Sequence, residues 1–392
     1  MEFGRRWLRE WPLDPNVTYL NHGTVGVTPL RVMAAQRALM EETERQPSRF
    51  VLRELSAITF GTPLRDVPRL REAANAVARF LGARGDDLVF VDNATTGANA
   101  VLRSFALQPG DEILVADLGY GGVTRAARYA AREKGASVRT VAMPYPFTAD
   151  GLLAAWAGAP GPRTRLAVVD HIAADTAIVL PMAEIAAALG RQGVAVLADG
   201  AHAPGSIPLD IPSLGVDWYV GNLHKWAWAP RSSGVLWAAP GRQAHLHPAV
   251  ISWALDEGFT REFDMVGTRD ASAHLAAPAA LGLMAEWGLE DVRRYNHTLA
   301  WTGARRLADR WGTELAAPES LVPSMAMVTL PAAAGTSFEE AVAMRDALLL
   351  EDGIEVHTHA YGGRVRVRIS AQIYNDMSDV DRLAEAVLKR FT

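Results

Sequence analysis

Residues 165–200 read RLAVVDHIAADTAIVLPMAEIAAALGRQGVAVLADG. Two short, near-continuously apolar runs, RLAVVDH (165–171) and VAVLADG (194–200), flank PMAEIAAALGRQG (181–193), whose apolar residues recur at helical spacing. Strands that are apolar on both faces and separated by a helix are the unit of a parallel sheet covered by helices. Ligands in such sheets bind beyond the carboxyl ends of the strands, so the Asp-Gly that closes the second run draws attention at once.

The alternation continues outward. DLVFV (87–91), EILVAD (112–117), SVRTVAM (137–143), VDWYVGN (216–222) and SGVLWAA (233–239) read as strands. TTGANAVLRSFAL (95–107) and GVTRAARYAAREKG (122–135) read as helices between them, and 31–45 and 67–83 as helices before them. From about 272 the pattern changes to long helices over 271–288 and 289–312, then strands SMAMVTLP (324–331) and RVRVRIS (364–370) around the helix 338–353. The fold class expected is α/β: a large domain over 31–271 with a mainly parallel seven-stranded sheet, and a smaller α+β domain over 272–392. An N-terminal segment, 1–30, is expected to pack with the small domain.

Composition narrows the function classes. The 39 basic and 44 acidic residues give a formal charge of -5, without the long single-sign runs that suit nucleic acid or an anionic membrane. No stretch of about 18 uninterrupted apolar residues occurs and the N-terminus has no apolar signal core, so a cytoplasmic protein is expected. There is no cysteine, which removes disulfides, cysteine-ligated zinc, iron–sulfur clusters and any protein thiol nucleophile; no metal site is expected.

Three pieces of chemistry fall just after strands. Asn93, Thr95, Thr96 and Gly97 stand where a strand hands over to a helix, so free N–H groups and hydroxyls face an anion. Asp199 ends a buried strand, with His202 three residues on. Asn222, His224 and Lys225 occupy the loop between two apolar strands, among tryptophans. Singly, each has an ordinary reading: a helix cap, a turn aspartate, and a lysine lying along surface tryptophans. Together they are what pyridoxal 5'-phosphate asks for, namely a phosphate cradle, a carboxylate for the pyridine nitrogen and a Schiff-base lysine. A lysine desolvated among tryptophans also keeps the neutral amine that imine formation needs.

With these pieces in place the chain resembles the class V, fold-type I pyridoxal-phosphate enzymes, and within them the isopenicillin N epimerase-like and cysteine desulfurase-like branch. The likeness is carried by YLNHGTVG (19–26), VDNATTGANAVLRS (91–104), LADGAHAPGSIPLD (197–210), WYVGNLHKWAWAPRSSGVL (218–236), VGTRD (266–270) and VRISAQIYN (367–375). The resemblance implies that Lys225 forms the imine with the cofactor and that Asp199 pairs with the pyridine nitrogen. It implies that His202 lies beside the ring, and that Thr95 and Thr96, with Asn222 and His224, bind phosphate. Tyr120 would stack on the pyridine face, and Arg368 would clamp the substrate carboxylate with Asn21 and His22 nearby. Thr268 would reach the phosphate of a neighbouring subunit, making a homodimer.

Two departures matter. HIAADTAIV (171–179) puts Ala174 and Asp175 where related proteins read Ser-Pro-Thr, leaving Thr176 as the nearest partner for the cofactor's O3'. The region that holds the persulfide cysteine in desulfurases reads GIEVHTHAYGG (353–363), which excludes persulfide chemistry. Removal of the α-proton of an amino acid by Lys225 leaves three outcomes open: epimerisation, loss of a β-substituent as in a carbon–sulfur lyase, or transamination. Tyr120, His357, His359 and Tyr361 are candidates for a second acid. A regulatory protein that binds the cofactor without catalysis is the reading from another class.

Overall fold

A computed structural model describes residues 2–391. The central sheet has seven strands: β2 (Leu88–Val91), β3 (Glu112–Ala116), β4 (Ser137–Val141), β5 (Thr164–Asp170), β6 (Ala195–Gly200), β7 (Trp218–Asn222) and β8 (Gly234–Ala238), in the order β2-β8-β7-β6-β5-β3-β4. All neighbouring pairs are parallel except those of β8, which runs against both β7 and β2. The sheet is therefore the mainly parallel one expected. Strands β2, β6, β7 and β8 are buried throughout, which is why they read as continuous apolar runs rather than as alternation.

The ladder places chemistry by register. Asp170 at the end of β5 lies opposite Asp199 of β6. Because β8 is reversed, its first residue, Gly234, pairs with Asn222 at the end of β7 and Val91 at the end of β2. The ends of β2, β3, β5, β6 and β7 and the start of β8 therefore share one edge, and the β7–β8 loop carrying Lys225 lies over it.

A second, antiparallel sheet has the order β11-β12-β9, from β9 (Met325–Thr329), β11 (His357–Tyr361) and β12 (Arg364–Ser370). A short parallel pair joins β1 (Thr18–Tyr19) to β10 (Ile354–Glu355), and a bridge links Asn21 to Ser370. The N-terminal segment thus ties to the second sheet, while Phe3, Trp7 and Trp11 pack on the core of the first. Past residue 272, Ala277, Leu283, Trp287 and Val292 pack in the first core, while Leu299, Ala300 and Ala304 pack in the second. Periodicity shows that these helices exist and not which sheet their apolar faces meet.

Strand β11 was not foreseen. Its residues alternate His357, His359 and Tyr361 with Thr358 and Ala360, so it lacks the apolar face by which strands are recognised.

Candidate active site

The shared strand edge opens into a cavity of about 540 Å³ lined by Thr95, Thr96, Tyr120, Asp170, Asp199, His202, Asn222, His224 and Lys225, among others. Lys225 is 8% exposed, which excludes the surface lysine lying along tryptophans. Trp226 and Trp228 are buried behind it in the core. Burial lowers the Lys225 ammonium to about 7; the Arg368 charge adds to the shift, and Asp199 and Asp175 oppose it. Its Nζ lies 2.9 Å from His202 Nε2, while the Trp226 indole N–H donates to His202 Nδ1 at 3.4 Å. Burial and then the Lys225 charge hold His202 well below its ordinary value. Lys225 is one of only three lysines in the chain; Lys134 donates to backbone carbonyls of Leu102, Arg103 and Phe105, and Lys389 is on the surface.

Asp199 is 3% exposed. Its Oδ1 accepts from the Ala201 N–H at 3.0 Å, and its Oδ2 is buried with no partner among the described residues. Burial raises its pKa, against the pull of that hydrogen bond and of Lys225. A buried carboxylate oxygen left unpaired is costly, and a cationic N–H donor removes the cost.

The helix Ala94–Ser104 starts at the same edge. Asn93 Oδ1 accepts from the Thr96 N–H at 2.9 Å, and Asn222 Oδ1 accepts from the Ala94 N–H at 2.8 Å. The Thr95 N–H and hydroxyl have no protein partner among the described residues and line the cavity beside the Thr96 hydroxyl, so donors remain for an anion at the positive end of a helix. His224 Nδ1 faces the Ser233 carbonyl at 3.1 Å, and burial lowers the ring to about 4, so it stands neutral at the cavity wall. Asn222 and His224 are thus held by the chain itself, and Asn222 acts on the cradle by fixing its first N–H.

Tyr120, 47% exposed, also lines the cavity, its N–H donating to Asp170 Oδ1 at 3.2 Å. Arg368 comes from β12 and is 2% exposed. Its guanidinium donates to Thr24 Oγ1 at 2.7 Å, Asn21 Oδ1 at 3.2 Å and the Ala174 carbonyl, while its Nε has no partner. Burial lowers it to about 10. No carboxylate among the described residues is bonded to it, so a buried guanidinium beside the cavity stands ready for an anion. Arg366, on the same face, turns instead to Tyr145, Thr329 and the Tyr361 carbonyl, and Arg364 to the Leu330 carbonyl.

Several expected residues lie elsewhere. Thr176 is buried beside Ile178 and Trp301, its hydroxyl without a partner among the described residues, and the residue of this loop that lines the cavity is Ala174. Thr268 is exposed and does not line this cavity, although its neighbour Arg269 bonds Asp92 at the cavity rim at 3.2 Å. His22 is buried away from the cavity, bridging the Tyr374 hydroxyl at 2.9 Å and the Lys225 carbonyl at 3.1 Å. It positions the lysine loop from behind. Asn21 spans Glu355 and Arg368, and positions the arginine.

Sequence reading missed Asp170, Thr24 and Arg231, all of which line the cavity. Asp170 carried the same signal as Asp199, an acid closing an apolar run. Burial and then the Asp199 charge hold its carboxyl well above the usual range. Thr24 and Arg231 arrive through long-range packing and had no local signal.

Comparison with known proteins defines the site's lineage. The family model for class-V aminotransferases matches residues 28–383. This chain belongs to that family. It is 32% identical to a probable L-cysteine desulfhydrase of Arabidopsis thaliana, over 95% of this chain and 83% of that protein. It is also 32% identical to isopenicillin N epimerase of Streptomyces clavuligerus, over 96% and 95%. In fold it is similar to a mutant of C-DES with glycine covalently linked to its PLP cofactor (TM-score 0.78, 24% identity, 97% of this chain and 98% of that one). It is likewise similar to the cysteine desulfurase CsdA of Escherichia coli (TM-score 0.76, 22% identity, 98% of each). The cofactor of this class-V site is pyridoxal 5'-phosphate. The residues present fit it: Lys225 offers a buried amine, Asp199 Oδ2 an unpartnered acceptor that a ring N–H would meet, and the helix start at 94–96 donors that a phosphate would meet.

Proposed function

We propose that this chain cleaves a carbon–sulfur bond at the β-carbon of a cysteine-like amino acid. The observation that carries the reading is Lys225, a buried amine brought close to neutrality and subject to the charges of both Asp199, whose Oδ2 is unpartnered, and Arg368. Bound pyridoxal phosphate supplies an electron sink for the charge left on the substrate's α-carbon. The chain's residues do the rest. Arg368 receives the α-carboxylate, Asp199 keeps the ring nitrogen protonated, and Lys225 takes the α-proton. The similarity to plant L-cysteine desulfhydrases supports elimination, and the absence of cysteine removes any persulfide carrier on the chain.

Epimerisation is the second reading, favoured by the near full-length match to isopenicillin N epimerase. It requires a proton donor on the face away from Lys225, and Tyr120, which lines the same cavity, is the residue we assign to it. A cytoplasmic homodimer, with Thr268 reaching the neighbouring phosphate site, completes the proposal; the tie between Arg269 and Asp92 keeps that loop at the cavity rim.

The test follows products from the holoenzyme. With L-cysteine and S-alkyl cysteines, pyruvate with sulfide or thiol is expected, and Lys225→Ala is expected to abolish it. A D-amino acid without pyruvate would establish epimerisation instead. A keto acid that retains the sulfur would establish transamination and sink both readings.

A further inference from the structure

The loop after β5 and strand β11 meet at one contact: Asp175 Oδ1 lies 3.0 Å from His357 Nε2. His357 stands opposite Arg368 in the β11–β12 register, so the two side chains share a face of that sheet. Arg368 in turn bonds the carbonyl of Ala174, the residue before Asp175 and part of the cavity wall. Asp175 therefore adjoins the cavity wall at Ala174 and His357 pairs in register with Arg368, although neither side chain itself lines the cavity. His359 stacks on His357, ring centroids 5.6 Å apart and planes at 15°, with both of its own nitrogens buried and without partners among the described residues.

With Nε2 committed to Asp175, Nδ1 is the ring nitrogen of His357 left for a ligand, and the carboxylate fixes which nitrogen that is. We propose that His357, oriented by Asp175, is the general acid that protonates the sulfur leaving the substrate's β-carbon. This rests on the lyase reading above. The α-proton passes to Lys225, the C–S bond breaks with its electron pair on sulfur, and sulfur takes the proton from His357 Nδ1. A thiol and 2-aminoacrylate result, and water converts the latter to pyruvate and ammonium.

The groups acting on His357 are Asp175 from the β5 loop, Arg368 from β12, His359 from its own strand and Arg345 from the helix Phe338–Asp352. Burial lowers its proton affinity, with Arg368 and Arg345 adding to that and Asp175 opposing it. A substrate carboxylate seated on Arg368 cancels part of the arginine's field, so substrate binding itself favours the imidazolium.

The experiment compares leaving groups in the wild-type, His357→Gln and Asp175→Asn holoenzymes. L-Cysteine expels hydrosulfide, a weakly basic leaving group that gains from a proton; 3-chloro-L-alanine expels chloride, which does not. The expected result is a loss in kcat/KM of roughly 100-fold for cysteine in His357→Gln and only a few-fold for the chloride substrate, with a smaller loss of the same selectivity in Asp175→Asn. Equal losses on both substrates, or none on either, would overturn the proposal while leaving the lyase reading intact. Wild-type enzyme that releases pyruvate from neither would overturn the lyase reading and this proposal with it. Should His357→Gln fail to fold, Asp175→Asn, on a more exposed side chain, carries the same comparison.

Discussion

Lys225 Nζ and His202 Nε2 are 2.9 Å apart, and both residues are buried. Two cations at that distance would repel strongly, and the structure avoids this by disfavouring the proton on both. Covalent capture of an aldehyde by Lys225 should therefore follow a titration near pH 7 rather than near 10.5. Stopped-flow rates of pyridoxal phosphate binding between pH 6 and 9 test this, with borohydride trapping and peptide mapping to identify the lysine. A rate still climbing tenfold per unit above pH 8 would contradict it.

Asp199→Asn should act in opposite directions on the apo- and holoproteins. Without cofactor, the change removes a buried charge whose Oδ2 is unpaired, and stability should rise by about 1–3 kcal/mol. With cofactor, the ring nitrogen loses its anionic partner, so affinity and turnover should fall by tenfold or more. Urea melts of both forms, beside a cofactor titration, decide it; an apoprotein destabilised by the substitution would be the contrary result.

Acid stability should fail early. His22, His171 and His224 are each lowered by burial to about 4, and His274 and His359 to about 3, from an ordinary 6.5. Between pH 6.5 and those values the unfolded chain binds protons that the native state refuses. Stability conferred by the neutral rings is complete above pH 6.5 and is lost as pH falls toward 4, on the order of 1 kcal/mol per unit for each histidine. Denaturant midpoints at pH 7 and 5 should differ markedly, and a flat profile would show that these rings are not held neutral.

Gly26 adopts φ 68°, and a Cβ there would overlap the carbonyl oxygen of His224, the residue before the lysine. Gly26→Ala should cost the left-handed strain of about 1–2 kcal/mol and also displace the lysine loop, reducing cofactor affinity. Gly110, at φ 89° with open space around it, supplies the control: alanine there pays strain alone and should leave cofactor binding untouched. Equal effects on cofactor binding would refute the close-contact argument.

Much of the site was legible because its residues follow apolar runs: Asp199, Asn222 and Lys225 each sit at or just past the end of a strand, where the sheet's direction guarantees a common edge. Arg368 was singled out only by its resemblance motif, since Arg364, Arg366 and Arg368 share one periodicity. The structure separates them by partner, sending Arg366 to Tyr145 and Arg368 to Thr24 and Asn21. Asp170 was overlooked although it ends its strand as Asp199 does.

The sequence by itself determined the alternating α/β order, the covered sheet and the set of groups that cofactor chemistry needs, because period and burial are written locally in each run. Tertiary structure alone decided that Thr176 turns away, that His22 holds the lysine from behind, and that Asp175 meets His357 across 182 residues of chain. Those outcomes depend on which loops cross which strand ends, and the hydrogen-bonding partner of a polar side chain leaves no periodic trace in the sequence around it.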